Sequence, residues 1–330
     1  MAKNNPYRPY SPNAEFKALL GSYNGNTVNG LGETTLRAPS MVWWTPDMAD
    51  ADFGEAQMWF YQQEKPDEEM TQLRHQRHQA VADPLPAVAL KRRQLNPEEL
   101  AKGLQQFVDS GDCEMTGATP LQAEWVFDHE ATELPNIVIL GVQHDYDELK
   151  HVPELQGGKD VTRQYLRAAV ASKKVASWLR DCGYQADAVT GPMTGKILMI
   201  PPAIACGFGE LGKHGSIINP EFGSAFRLSA VLTDAPFQAT PPREFGIDDF
   251  CSRCRVCEMP AHLKRSPRSS RWSEELRSGM STSINASPSS PKPRDALFAL
   301  PFVRGRYRAS VRTSPTSWHA ERQDWDAMTR

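Results

Sequence analysis

At 330 residues the chain has room for one large domain or two ordinary ones, and 40% apolar residues suffice for a buried core. A net charge of −3 and a pI near 6.3 give no general attraction to nucleic acid or to an anionic membrane. No apolar run reaches the roughly 18 residues of a membrane span, and the start of the chain shows neither an apolar signal region nor a twin-arginine pair; the expected location is the cytoplasm.

Residues 1–40 are polar and rich in Gly, Asn and Pro, which reads as an extended arm. Residues 41–130 combine the aromatic clusters of Trp43, Trp44, Trp59, Phe60 and Tyr61 with a charged stretch at 64–80. A helix is predicted over 96–109, because Asn96 can cap it, Pro97 suits its first position, and Glu98 and Glu99 complement its positive end. No chemistry attaches to residues 1–119, which are set apart as an N-terminal extension. The apolar run NIVILGV at 136–142 has the length of a buried strand. Residues 161–182 predict a long amphipathic helix with Tyr165, Ala169, Ala176 and Leu179 on one face and Gly183 as its stop. Further strands are expected at 185–190, 196–200 and 225–233. Together these elements predict an α+β core over residues 120–240. The segment 235–249, with prolines and few apolar side chains, reads as a linker.

Within the core, residues 209–223 read GELGKHGSIINPEFG. Gly207, Gly209 and Gly212 match G-x-G-x-x-G literally, but a dinucleotide site needs a strand before the motif and a helix opening at its end. Here Pro201 and Pro202 precede it and Gly215 follows. Residues 207–213 also approach a phosphate loop, yet His214 stands where the Ser or Thr for magnesium is required. What remains is a loop that lets backbone pass close to something large, or a glycine-rich turn with no ligand.

Three of the six cysteines, Cys113, Cys182 and Cys206, are scattered and read as small core residues. The other three, Cys251, Cys254 and Cys257, form C-x2-C-x2-C. That spacing matches the start of the bacterial 4Fe-4S run, C-x2-C-x2-C-x3-C-P. Zinc would need a second Cys/His pair, and only His262 lies near.

The run then breaks, with Met259, Pro260 and Ala261 where a cysteine and a proline are due. Eleven arginines and thirteen serines follow Glu258, with no sustained helical or strand period. The plain reading is a disordered tail; the sharper one is a single deleted nucleotide. The codons TGC GAG GAT GCC TGC CC encode Cys-Glu-Asp-Ala-Cys-Pro; without one G they read Cys-Glu-Met-Pro-Ala, the residues found at 257–261. Shifted the same way, codons compatible with residues 280–290 restore a cysteine over Ala286, and those for 296–305 yield C-x2-C-x3-C-P. The expected organisation is therefore a core at 120–240, the start of a ferredoxin-type domain at 241–258, and an out-of-frame, disordered tail at 259–330.

The glycine segment, the VLTD sequence at 231–234 and the restored cysteine runs resemble the non-exported, catabolic reductive dehalogenases; the related epoxyqueuosine reductases share these features. The resemblance covers 120–258 directly and most of 259–305 only in the other frame. It implies a nitroreductase-like, corrinoid-binding core followed by a two-cluster ferredoxin module, here truncated. It also implies cobalamin held base-off, two 4Fe-4S clusters, an organohalide substrate (a halogenated aromatic) and a reductase or ferredoxin as electron donor. In this family a tyrosine donates a proton, and a nearby Lys or Arg lowers its pKa. Tyr146, after the 136–142 strand, and Lys213 are the candidates for that pair, although Tyr146 also fits the rim of a charged loop. Gly209, Gly212, His214, Gly215, Asn219 and Arg227 are the candidate corrinoid contacts, with Arg227, a charge in a strand, read either as a second basic contact or as a surface charge, and Cys251, Cys254 and Cys257 are the metal ligands. Holding three of eight cluster ligands, the chain is expected to be inactive as translated. The alternatives are an epoxyqueuosine reductase-like enzyme that modifies transfer RNA, or a non-catalytic iron–sulfur electron carrier.

Overall fold

The computed structural model describes residues 38–41, 54–55, 58, 66–152, 154–191, 195–212 and 214–254. The expectations for the N-terminal arm, most of the aromatic clusters, Lys213, Cys257 and the tail lie largely or wholly outside these residues.

The charged stretch forms helix α1 (Glu68–Ala82), which starts where the Asp67 side chain accepts the Met70 N–H at 2.9 Å. Helix α2 (Pro97–Asp109) begins as the sequence predicts. Asn96 accepts from the Glu99 N–H at 3.0 Å and Glu99 accepts from the Asn96 N–H at 2.8 Å, a complete capping box.

The centre is a four-stranded antiparallel sheet of β1 (Met115–Pro120), β2 (Asn136–Gln143), β3 (Ala186–Val189) and β6 (Phe226–Thr233), in the order β1-β2-β6-β3. Between β2 and β3 run the short helix α3 (Tyr146–Leu149) and the long helix α4 (Leu155–Asp181). Because β6 lies antiparallel between β2 and β3, those two strands are parallel and α4 is the crossover that links them. Gly183, at φ +83°, ends that helix as expected.

Alternation divides the core into two layers. Val138, Leu140 and Val142 of β2 and Val231 of β6 face α4 and meet Ala168, Ala171, Val175, Ala176 and Leu179. Ile137 and Ile139 face the other way, against Phe208, Ile217, Phe222 and Phe226. That second layer is built from helix α5 (Ile200–Ala205) and the hairpin of β4 (Glu210–Leu211) with β5 (Ile217–Ile218). Each such side chain taken fully from water contributes roughly 1.5–3 kcal/mol before entropy is counted.

Two expectations need correction. Residues 196–200 form no strand: Ile197 makes one isolated bridge to Val126 and Ile200 already opens α5, since Pro201 and Pro202 suit the first turn of a helix and cannot donate to a ladder. The 235–249 segment is not a detached linker. Thr240 donates its backbone N–H to Ala118 O at 2.8 Å, and its Oγ1 accepts from the Ala118 N–H at 3.1 Å. The helix that follows, α6 (Ile247–Cys254), carries the first cysteines.

Candidate active site

At the Phe226 end of β6 a tyrosine stands among arginines. Tyr165 projects from α4, with the Arg227 guanidinium 4.5 Å from its ring centroid and that of Arg77, from α1, at 5.7 Å. Arg227 lies opposite Val142 in the register and so faces α4. Its Nε and Nη2, and Oγ of Ser229 two residues on, are shielded from solvent with no hydrogen-bond partner among the described residues. Shielded donors left without an acceptor carry a desolvation cost that a ligand's acceptor would relieve. The arrangement suits a polar or anionic group held against a phenol.

Beside this pair lies a buried histidine–aspartate contact. His144 Nδ1 is 2.5 Å from Asp160 Oδ2, and both side chains are fully enclosed. Burial works to raise the Asp160 carboxyl, but hydrogen bonds from His144 and Gln164 outweigh it and hold the group below the usual carboxylate range. The His144 N–H donates to Ala225 O at 2.9 Å, and Ala225 packs in the small cluster that includes Tyr165. The loop after β2 is thereby tied to the start of β6. Tyr146 opens α3 as a half-buried residue beside the exposed Asp145 and Asp147.

The glycine segment is held by its own interior. A side chain at Gly209 would place Cβ 2.2 Å from Ile218 O, so the residue is needed for the β4–β5 hairpin to close. Asn219 donates to Phe208 O at 2.6 Å and accepts from the N–H groups of Glu221 at 2.7 Å and Phe222 at 2.9 Å. His214 Nδ1 accepts from the Ser216 N–H at 3.2 Å, which leaves Nε2–H to donate to Ser224 Oγ at 2.7 Å. Burial lowers its pKa to about 4, with a Gly212 backbone contact opposing, so the ring is neutral near pH 7. The side chains of Asn219 and His214 are thus committed inside the loop, and any ligand there meets the loop's shape and backbone.

Cys251 and Cys254 sit one turn apart on α6, both partly exposed. Thiols at that spacing fit a cluster or a zinc ion equally. Among the described residues no three His, Cys, Asp or Glu side chains converge on one point. Cys113, Cys182 and Cys206 are buried, and desolvation pushes the thiols of Cys113 and Cys206 up to about 12. No described helix is long and apolar enough to cross a membrane.

No protein-family model matches the chain. A tetrachloroethene reductive dehalogenase of Dehalobacter restrictus is 29% identical over 154 residues, 47% of this chain and 27% of that one. The chain is a relative of the reductive dehalogenases. It spans 27% of the length of that enzyme and 29% of an epoxyqueuosine reductase from Synechococcus, to which 101 residues are 33% identical. The fold is shared with the catabolic reductive dehalogenase NpRdhA, solved with 3-bromo-4-hydroxybenzoic acid, at a TM-score of 0.51 and 18% identity over 57% of this chain and 29% of that one. The sequence similarity is thus to reductive dehalogenases and, over a shorter stretch, to an epoxyqueuosine reductase, both of them oxidoreductases.

The expected pair is Tyr146 with Lys213, and Lys213 lies outside the described residues; the basic side chain that stands beside a tyrosine is Arg227, over the ring of Tyr165. The sequence reading placed Tyr165 on the core face and gave it no further role. The available signal was an arginine in an otherwise apolar strand, which needs a partner across the layer.

Proposed function

We propose that the chain is the corrinoid-binding core of a cytoplasmic reductive dehalogenase for halogenated aromatic compounds, with its reading frame lost after Glu258. The observation that carries this reading is the Tyr165–Arg227 contact at 4.5 Å, in a chain of which 154 residues are 29% identical to a dehalogenase. Reduction of a carbon–halogen bond consumes two electrons and one proton and releases halide. Tyr165 would supply the proton to the carbon, its ring held under the Arg227 guanidinium. Arg227, with donors shielded and unused, suits an anionic substituent of the ring.

A corrinoid, when bound, would supply the electrons, and in the frame-restored protein two 4Fe-4S clusters and an external reductase or ferredoxin would feed it. The glycine segment, with Gly209, Gly212, His214, Gly215 and Asn219, would hold the ring by its shape. Cys251, Cys254 and Cys257 would bind iron. In this reading Tyr146 and Lys213 are secondary: Tyr146 belongs to the charged rim.

Two measurements test the proposal. Titrating the chain with hydroxocobalamin under argon should shift the corrinoid absorbance and saturate near one equivalent; no shift contradicts the binding site. A gene with one nucleotide restored after the Glu258 codon should release bromide from 3-bromo-4-hydroxybenzoate, while the present chain should release none. The match to an epoxyqueuosine reductase favours a second reading, a transfer-RNA-modifying reductase. Reduction of an RNA epoxide without halide release would select it.

A further inference from the structure

The glycine segment also reaches the cysteine-bearing helix. Glu210, in β4, directs Oε2 at two backbone donors more than thirty residues away, the N–H of Phe245 at 2.5 Å and of Ile247 at 3.1 Å. These amides flank Gly246, whose φ of +76° turns the chain into α6. The first turn of a helix leaves N–H groups without internal partners, and a local Ser, Asp or Asn ordinarily accepts from them. Glycine stands at that point, so the carboxylate of Glu210 takes over the duty from a distance and adds negative charge at the positive helix end. Cys251 and Cys254 follow Ile247 by four and seven residues, on the same helical side. The connection is continued by Arg243, whose Cγ lies 3.0 Å from where a Cβ of Gly207 would be, and by Thr240 on β1.

We propose that Glu210 is a positioning residue that fixes the cysteine helix against the glycine segment and so sets the separation of the iron ligands from the corrinoid site. The functional half of this statement rests on the dehalogenase reading; the mechanical half does not. The test uses the chain as it stands, with Glu210→Ala and Glu210→Gln compared by amide hydrogen exchange and by the rate at which iodoacetamide labels each cysteine. Glu210→Ala should speed exchange at Phe245 and Ile247 by at least tenfold and label Cys251 and Cys254 severalfold faster, with Cys113, Cys182 and Cys206 still protected. Glu210→Gln keeps an acceptor oxygen and should restore most of the protection. Unchanged exchange at both amides overturns the proposal. So does faster labelling of Cys113, Cys182 and Cys206 along with Cys251 and Cys254, which marks general unfolding, or a Gln variant no better than Ala. Hydroxocobalamin titration of the same samples keeps the two ideas apart: a wild-type chain that takes up no corrinoid defeats the dehalogenase reading and leaves the labelling result to decide the Glu210 contact.

Discussion

The two faces of the sheet are made differently. On one, a single helix lays alanines, Val175 and Leu179 over β2 and β6, and apolar periodicity alone specifies the contact. On the other, an irregular segment closes over Ile137 and Ile139, and its shape depends on particular residues satisfying their own backbone. The regular face tolerates a polar intrusion, and that is where Tyr165 and Arg227 meet. The irregular face supplies concavity, because Gly209 and Asn219 let the chain turn where a helix could not.

The largest effect should come from the regular face. Leu140→Ala removes a fully buried side chain there and should lower unfolding free energy by about 2–5 kcal/mol in a urea titration. Gly209→Ala, on the irregular face, forces Cβ against Ile218 O and should cost about 1–3 kcal/mol, with disorder confined to the β4–β5 hairpin by hydrogen exchange. Equal and global effects from these two changes would erase the distinction between the faces.

A smaller effect concerns pH. Unfolded, His214 takes a proton near its ordinary value of 6.5; folded, it stays neutral down to about 4. The unfolded state therefore binds more protons across that window, and stability is full above pH 6.5 and declines as pH falls toward 4. In His214→Asn the urea midpoint should fall less steeply over the same range. The smallest change expected is Asn96→Ala, which loses the capping box of α2 but leaves its buried Leu100 and Leu104 in place, and should cost about 1 kcal/mol in thermal unfolding.

The α2 boundary, the buried β2 run, the stop at Gly183 and the β6 strand were legible because local rules and burial agree there. The supposed strand at 196–200 failed because two prolines favoured a helical start. The Tyr165–Arg227 contact was only half legible. Arg227 drew notice as a charge in a strand, but its partner lies on another element, and spacing along the chain carries no information about contacts across layers. The reach of Glu210 to residues 245–247 was hidden for the same reason.

The most direct test of the Tyr165–Arg227 assignment compares two conservative changes in the frame-restored protein. Bromide release should fall by about 100-fold or more in Tyr165→Phe, the usual contribution of a positioned acid, and by less than about threefold in Tyr146→Phe, with corrinoid absorbance unaltered in both. A large loss in Tyr146→Phe with Tyr165→Phe near wild type would contradict the assignment.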